Sequence, residues 1–267
     1  MAARSVASLL TPLCFLRYGA IKATRPPLDC QANSITPQKG CHPMLPWLTF
    51  WSVFWLFLLA ACASSGPMTR SDQSYQLSSF EAAVVRETNL ARTQPSQYRT
   101  YLQQTRRYYA GKLLKRPDKP VLLTQEGVQA ADEAIRFLST VRPVPPLQVS
   151  KGLSLAARDH ALDQKRYGSV GHTGRDGSEV WDRVNRYGRW LGAIGENIAY
   201  GQETAREVVM SLIIDDGVPG RGHRDNMFST DYRLIGVACG SHQSYRTLCV
   251  ITLAAGYNEK AERPTGR

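Results

Sequence analysis

The amino-acid sequence predicts an α+β fold from three observations on its apolar patterning. Apolar side chains recur at helical spacing in three successive segments between residues 80 and 164, which favours helices in the first half of the domain. A further helix begins with a capping box of Thr204 and Glu207, after an apolar strand at 197–200. Two β-branched runs within 232–257 are typical of an antiparallel strand pair. This order of elements indicates α+β layering.

The first two helices take their predicted limits from helix breakers. The first helix runs from Phe80 to about Leu102 and breaks or restarts at Pro95. Residues 111–120 are basic and contain two prolines, so this stretch is predicted to be a loop. The second helix follows the apolar stripe of residues 128–138, and the three prolines that come next end it.

The third helix begins at Ser150, whose side chain is expected to cap it. His160 falls on the same face as Leu153 and Ala157. A structural histidine with a hydrogen-bonded ring is therefore favoured there over a catalytic one. A short amphipathic turn is predicted at 178–184.

An apolar run without a charged side chain, residues 47–61, lies in the N-terminal part of the chain. At about fifteen residues it is short for a membrane-spanning helix and matches the apolar region of a secretion signal. The run ends at Leu59-Ala60-Ala61-Cys62, which resembles a bacterial lipobox and makes Cys62 the candidate lipidation site. The alternative is a retained single-pass anchor or an ordinary signal, and Met44 is an alternative start site.

The chain is accordingly expected to have four parts. These are a signal or pre-sequence at 1–61, a lipid-anchored flexible tether at 62–79, the folded domain at 80–257 and a polar tail at 258–267. The formal net charge is +11, of which about +7 remains from Cys62 onward. A basic exported domain is attracted to anionic headgroups and envelope polymers. No nucleic-acid-binding motif is present, so nucleic acid is not expected as a partner.

Two cysteines, Cys239 and Cys249, remain beyond the lipobox. Their flanking runs form the predicted hairpin, which would place the two thiols opposite one another. An oxidising compartment would then join them as a disulfide. The alternative is two buried free thiols.

Three turn-rich stretches carry the candidate polar site: Gly171-His172-Thr173-Gly174, Gly195-Glu196-Asn197-Ile198 and Gly222-His223-Arg224. If these distant stretches fold together, two imidazoles and a carboxylate converge in a cleft. The histidines lack the short ligand spacing of a zinc finger or an HExxH helix. The sequence also lacks a nucleophile elbow, a Walker A loop and a C-x-x-C motif, which leaves a conventional hydrolase or nucleotide site without support.

In their order and spacing, these motifs resemble the CAP superfamily of cysteine-rich secretory proteins, antigen 5 and pathogenesis-related 1 proteins, and in particular its bacterial SCP-like branch. Asn89-Leu90-Ala91-Arg92, Leu155-Ala156-Ala157 before His160, and the terminal strands add to the resemblance. It covers about residues 80–257. The resemblance implies a three-layer α-β-α sandwich with a central, mainly antiparallel sheet.

The resemblance also implies a cleft that holds two histidines and two acidic residues. His172, Glu196 and His223 match three of these positions. In the family the fourth acid usually follows a tryptophan by three residues. Here a leucine stands in the tryptophan position, and the acid is Asp215, with Asp216 as the alternative.

Such a set of side chains allows two kinds of chemistry. Neutral imidazoles and carboxylates can share a divalent ion, and zinc suits His172 and His223 as ligands. Alternatively, imidazolium and carboxylate groups neutralise one another and make the cleft sensitive to pH. Arg221 and Arg224 flank His223, and they either bind an anionic ligand group or belong to a solvated charged loop.

Two functions are compatible with this site. The first is a secreted, lipid-anchored envelope protein whose cleft binds a lipid, an envelope component or a divalent metal through His172, Glu196, Asp215 and His223. The alternative is a metal-assisted or acid-base hydrolase in which Glu196 acts as the base. Binding is favoured because no activated nucleophile is visible. Export across the inner membrane is expected, and an alanine after the lipidated cysteine resembles sorting to the outer membrane, facing the periplasm.

Overall fold

The computed structural model describes residues 21–24 and 75–261. Within these ranges the helices and strands alternate along the chain, and two β-sheets are formed. In chain order the elements are β1 (Ile21–Thr24), α1 (Ser79–Thr93), α2 (Pro95–Arg106), β2 (Tyr109–Ala110), β3 (Leu113–Leu114), β4 (Leu122–Leu123), α3 (Val128–Thr140), β5 (Gln148–Val149), α4 (Lys151–Tyr167), α5 (Val180–Asn185), β6 (Gly188–Tyr200), α6 (Ala205–Ile214), a 3₁₀ turn (Pro219–Arg221), α7 (Gly222–Phe228), β7 (Leu234–His242) and β8 (Arg246–Glu259).

The main sheet has the strand order β1-β6-β8-β7-β5. Its pairs are antiparallel except for β5, which runs parallel to β7 at one edge. Helices cover both faces, as the alternating side chains of β8 demonstrate. Cys249 and Ile251 pack with α1, α3 and α6, whereas Val250 packs with α4. The predicted α+β fold, a three-layer α-β-α sandwich with a mainly antiparallel sheet, is therefore confirmed.

The predicted break in the first helical segment is confirmed. Helix α1 begins with a capping box in which Ser78 and Glu81 exchange side-chain and backbone hydrogen bonds. It ends at Thr93, and Pro95 begins α2 after Gln94. A proline fits the first turn of a helix because the amide hydrogen that it lacks has no partner there. The caps predicted at Ser150 and Thr204 are also present.

The segment 111–120, predicted to be a loop, differs from that prediction. It contains β3, which pairs with β2 and β4 in a small three-stranded antiparallel sheet. Gly111 turns the chain between β2 and β3 with a φ of 59°, a backbone conformation that glycine adopts without steric cost. Strands of two residues are too short to produce an alternating pattern, so the sequence gives no periodic signal for them.

Strand β1 lies in the segment that sequence analysis assigned to the pre-sequence. Its register places Ile21 opposite Glu196 and Thr24 opposite Ala193, at the outer edge of β6. The uncharged run at 47–61 and the candidate lipidation site Cys62 lie outside the described residues. No helix within the described ranges is long and apolar enough to span a membrane.

Cys239 and Cys249 form a disulfide, as the predicted hairpin suggested. The two residues lie directly opposite each other on β7 and β8, with 4.1 Å between their Cα atoms. Such closely spaced antiparallel pairs bring side chains together on one face of the sheet. The bond ties the two central strands together.

Candidate functional site

Strand β6 supplies the centre of the site because it places two consecutive polar side chains on opposite faces of the sheet. Glu196 projects toward the layer of α4 and α5, and Asn197 projects toward α7. Both are fully buried. Gly195 precedes them, and a Cβ there would clash with the Tyr232 hydroxyl. Only glycine leaves room for that hydroxyl.

The first histidine pairs with Glu196, and we call this arrangement the His172 pair. His172 Nδ1 lies 2.9 Å from Glu196 Oε1. Arg183 Nη2 donates to both carboxylate oxygens of Glu196 at 3.0 Å and to the carbonyl of His172 at 3.0 Å. Arg183 Nη1 also donates to the carbonyl of Ser178 at 2.6 Å. A buried arginine on α5 therefore fixes both members of the pair.

The charge state of Glu196 follows from these contacts. Burial raises the pKa of this carboxyl, but the hydrogen bond from His172 and the positive charge of Arg183 outweigh burial. The net result is a pKa below the ordinary value of glutamic acid. Glu196 is consequently an ionised acceptor, and the His172 ring donates to it through Nδ1–H.

The second histidine pairs with Asp215, and we call this arrangement the His223 pair. His223 Nδ1 lies 2.6 Å from Asp215 Oδ1. Asp215 Oδ2 accepts from the backbone amides of His223 and Arg224 at 2.9 Å and 3.3 Å. Asp215 ends α6 in a left-handed conformation with φ 54°, which turns the chain toward α7. Of the two acids considered for the fourth position, Asp215 is the one that contacts a histidine.

An amide network joins the two pairs through β6. Asn197 Nδ2 donates to the carbonyl of His223 at 3.0 Å. Asn226 Nδ2 donates to Asn197 Oδ1 at 2.9 Å, and the Tyr232 hydroxyl donates to Asn226 Oδ1 at 3.2 Å. Since Glu196 and Asn197 are consecutive, one strand positions the His172 ring on one face and the His223 backbone on the other.

Both rings leave one nitrogen available. In the described part of the chain, the hydrogen bonds of the His172 and His223 rings involve Nδ1 and not Nε2. The side chains keep 5% and 8% of their surface exposed. Neither Nε2 is among the fully buried polar atoms left without a partner, so each still contacts solvent. Each carboxylate thus orients an imidazole whose free nitrogen is accessible.

The geometry gives no support to a metal site. Among residues 21–24 and 75–261, no group of three or more histidine, cysteine, aspartate or glutamate side chains is placed to hold a metal ion. The carboxylate oxygens of Glu196 are already bound by Arg183 and His172. Zinc binding at His172 and His223 stays a prediction.

The remaining charged candidates have structural roles. Asp216 accepts from the backbone amides of three residues before α3, 125–127, at 2.6 to 3.2 Å. Arg221 binds Glu126 and Glu133 through paired hydrogen bonds. Arg224 donates to Glu133 and to two carbonyls in the last turn of α6. Neither guanidinium belongs to a solvated loop or is free for an anionic ligand.

His160 is a structural histidine, as its position on the apolar face of α4 suggested. It is 1% exposed, and its Nε2 lies 2.9 Å from the carbonyl of Gly171. Burial is the main cause that lowers the pKa of this ring. A neutral His160 thereby holds the backbone directly before His172.

Sequence reasoning missed Arg183 and Asn226. Arginine is normally exposed, and α5 is recognisable in the sequence only as a short amphipathic turn, so nothing local marks Arg183 as buried. Asn197 lies within a motif that carries the resemblance, but its role as a bridge depends on the strand face on which it lies. The available signal in the sequence was the pair of consecutive polar residues, Glu196 and Asn197, at the start of an otherwise apolar predicted strand.

The family model described as CAP, the cysteine-rich secretory protein family, matches residues 86–253. The chain belongs to this family. His172, Glu196, Asp215 and His223 all lie within the matched part of the CAP protein, whereas β1 lies outside it.

Individual relatives are more distant. The CAP protein is 33% identical over 92 residues to the uncharacterized protein YkwD of Bacillus subtilis (strain 168), and the match covers 34% of each chain. It thus spans about a third of that relative's length. Among solved structures it is similar to an outer surface protein from Borrelia burgdorferi, with 18% identity, a TM-score of 0.37, and coverage of 50% of this chain and 91% of that one.

A second solved structure is an extracellular protein containing a SCP domain from Bacillus anthracis str. Ames. Its identity is 20%, the TM-score is 0.33, and the match covers 47% of this chain and 39% of that one. The family assignment depends on the family model.

Proposed function

We propose that this CAP protein is an exported binding module whose His172 and His223 pairs recognise polar groups of a lipid or another envelope component. The observation that carries the proposal is the shared geometry of the two rings. Each imidazole is held through Nδ1 by a buried carboxylate, and each leaves Nε2 accessible. Such nitrogens either accept a hydrogen bond from a hydroxyl or, when protonated, donate to a phosphate or carboxylate.

The rigidity of the rings supports recognition. Glu196 and Asp215 are 0% and 2% exposed, and each makes at least three polar contacts. When the side chains that contact a ligand are already oriented, less conformational entropy is lost on binding than when binding must order them. The site is therefore suited to bind without rearrangement.

A hydrolase that uses Glu196 as the base is less consistent with this geometry. Glu196 is fully buried, its oxygens are occupied by Arg183 and His172, and its lowered pKa makes it a weak base. Within the described residues, neither ring hydrogen-bonds a serine, threonine or cysteine side chain. The observation that favours a second candidate is the carboxylate–imidazole pairing itself, which also orients bases in hydrolases. In that case Nε2 of His172 or His223 would activate water.

Export and anchoring are part of the proposal. The disulfide between Cys239 and Cys249 supports export, because such bonds persist in oxidising compartments. The apolar run at 47–61 and Cys62 support lipidation. Metabolic labelling with a fatty acid tests this directly. The parent chain should be labelled and Cys62→Ser should not, and a label that persists in Cys62→Ser would contradict Cys62 as the lipidation site.

The test of the two pairs uses the full chain carrying Cys62→Ser, so that no attached lipid contributes to binding. The apolar run at 47–61 is the same in every variant, so differences in binding between variants report on the rings. Its sedimentation is measured with vesicles of phosphatidylglycerol, with vesicles of phosphatidylcholine and with purified cell-wall sacculi. His172→Asn and His223→Asn are the informative variants, because asparagine can still donate to the carboxylate from near the Nδ1 position but has no Nε2. Binding to one surface should fall at least tenfold in both variants while the melting temperature changes little.

The matched control is His242→Asn, because His242 is also buried and hydrogen-bonded through its ring but lies at the β7–β8 turn. It should bind like the parent chain. Unchanged binding in both His172→Asn and His223→Asn would contradict a role for the two rings. Hydrolysis of ester, peptide or glycan substrates that both variants abolish would replace binding with catalysis.

A further inference from the structure

The outer edge of β6 is occupied by a segment of the chain's own N-terminal part. Residues Ile21–Thr24 pair antiparallel with residues 193–196 of β6, directly beside Glu196. The two strands are paired over four residues. Without β1, the edge of β6 would present unpaired backbone amides and carbonyls. This edge is therefore a place where an extended segment binds.

One face of β1 is apolar. Ile21 and Ala23 pack with a cluster that includes Val184 of α5 and Ile194 of β6. In an extended segment these two side chains are separated by one residue and point the same way. The edge thus accepts two small or apolar side chains at alternate positions.

The opposite face of β1 carries a charge that the edge recognises. Lys22 Nζ lies 2.7 Å from Asp231 Oδ2 and 5.7 Å from the centre of the Tyr232 ring. Asn226 Nδ2, which belongs to the amide network of the site, donates to the carbonyl of Ile21 at 3.2 Å. The edge therefore presents a backbone ladder, an apolar side, an acidic side chain and an amide donor.

We propose that this edge groove, formed by residues 193–196 with Asn226, Asp231 and Tyr232, is a docking site for an extended peptide that carries a lysine or arginine between two small or apolar residues. Strand addition of this type obtains affinity from the main chain and specificity from alternate side chains. Ile21–Thr24 is the intramolecular occupant. It lies upstream of Cys62, so the predicted processing would vacate the groove, and the unprocessed chain is self-blocked.

The test compares the full chain with a variant whose own strand cannot pair. Lys22→Pro combined with Ala23→Pro removes two consecutive backbone amides and the lysine. The probe is a fluorescent peptide with the sequence of residues 19–25, GAIKATR, and its anisotropy reports binding. The double-proline chain should bind the probe at least tenfold more tightly than the parent chain.

Charge selectivity is tested in the double-proline chain. Asp231→Asn should weaken probe binding about 2- to 5-fold, as expected for an exposed ion pair. Asp118→Asn removes an exposed acid in the connection from β3 to β4 and should leave binding unchanged. A probe with glutamate in place of lysine should bind more weakly than the original probe.

Amide hydrogen exchange locates the binding. The amides of residues 193–196 that point toward β1 should exchange faster in the double-proline chain than in the parent and regain protection when the probe is added. The amides of this segment that point toward β8 should stay protected in both chains. If the double-proline chain unfolds without cooperativity, Lys22→Glu provides the same test, since it places like charge beside Asp231. A cooperatively folded variant that does not bind the probe, or that gains protection elsewhere, would overturn the proposal.

Discussion

Arg183 holds both carboxylate oxygens of Glu196 at 3.0 Å, and neither side chain is more than 2% exposed. The arginine also binds the carbonyl of His172. One guanidinium therefore compensates the buried charge and fixes the backbone on which the first imidazole stands.

Replacement of that guanidinium should be severely destabilising. In Arg183→Ala the buried carboxylate loses its compensating charge, and the free energy of unfolding should fall by about 3–5 kcal/mol. Urea denaturation measures the change. Arg186→Ala is the control. Arg186 follows the same helix, but its side chain is 41% exposed and pairs with Asp159 and Asp176. Its replacement should lower the free energy of unfolding by no more than about 1 kcal/mol.

A second substitution distinguishes charge from packing. Adding Glu196→Gln to Arg183→Ala removes the uncompensated charge, so the double variant should be more stable than Arg183→Ala alone. Equal or greater destabilisation in the double variant would mean that lost packing, and not the buried charge, dominates.

Gly195→Ala should destabilise the protein through a clash with one side chain. The added Cβ would overlap the Tyr232 hydroxyl, and overpacking of this kind costs about 1–3 kcal/mol. Tyr232→Phe removes that hydroxyl, so the double variant should lose less than the sum of the two single variants. Gly240→Ala on β7 is the control, because a Cβ added there would meet no atom within 4 Å; thermal unfolding should change little. Additive losses would place the strain elsewhere.

The disulfide should contribute about 2–4 kcal/mol to the free energy of unfolding. The variant with Cys239→Ala and Cys249→Ala should therefore melt at a lower temperature than the parent chain. Dithiothreitol should lower the melting temperature of the parent chain and leave that of the variant unchanged. A reductant effect on the variant would indicate that the bond is not the sensitive element.

The stability contributed by Glu133 should depend on pH. Hydrogen bonds from Arg221 and Arg224 lower the pKa of this carboxyl from 4.5 to about 2. A depressed folded-state pKa contributes stability that is complete above about pH 4.5 and is lost as the pH falls toward 2. Glu133→Gln should be less stable than the parent at pH 7 by up to about 1 kcal/mol, because the side chain is 40% exposed. The difference should shrink between pH 4.5 and 3, and a difference independent of pH would contradict this assignment.

The layered fold could be predicted because its signals are local. Periodic apolar positions, the cap at Thr204 and the helix break at Pro95 each depend on neighbouring residues. The pairing of Cys239 with Cys249 followed from a single hairpin. The two-residue strands β2 to β4 lack such a signal, because their pairing is decided by tertiary contacts.

The details of the site depended on contacts between distant residues. Sequence analysis left Asp215 and Asp216 as alternatives, and the backbone at the end of α6 directs them to different partners. Asp215 binds the ring of His223, whereas Asp216 accepts from backbone amides just before α3. Arg221 and Arg224 lie within two residues of His223 in the chain but bind an acid about ninety residues away, Glu133. Neighbours in the sequence did not reveal these partners.

Glu196 and Asn197 project from neighbouring positions of one strand to opposite sides of the sheet. A slip of β6 by a single residue would exchange their sides. It would remove the carboxylate that holds the His172 ring and the amide that holds the carbonyl of His223. A misregistered chain would therefore lose the His172 pair together with the link from β6 to the backbone of His223. An assay in which binding requires both imidazoles would therefore also measure the fraction of molecules in which β6 has its native register.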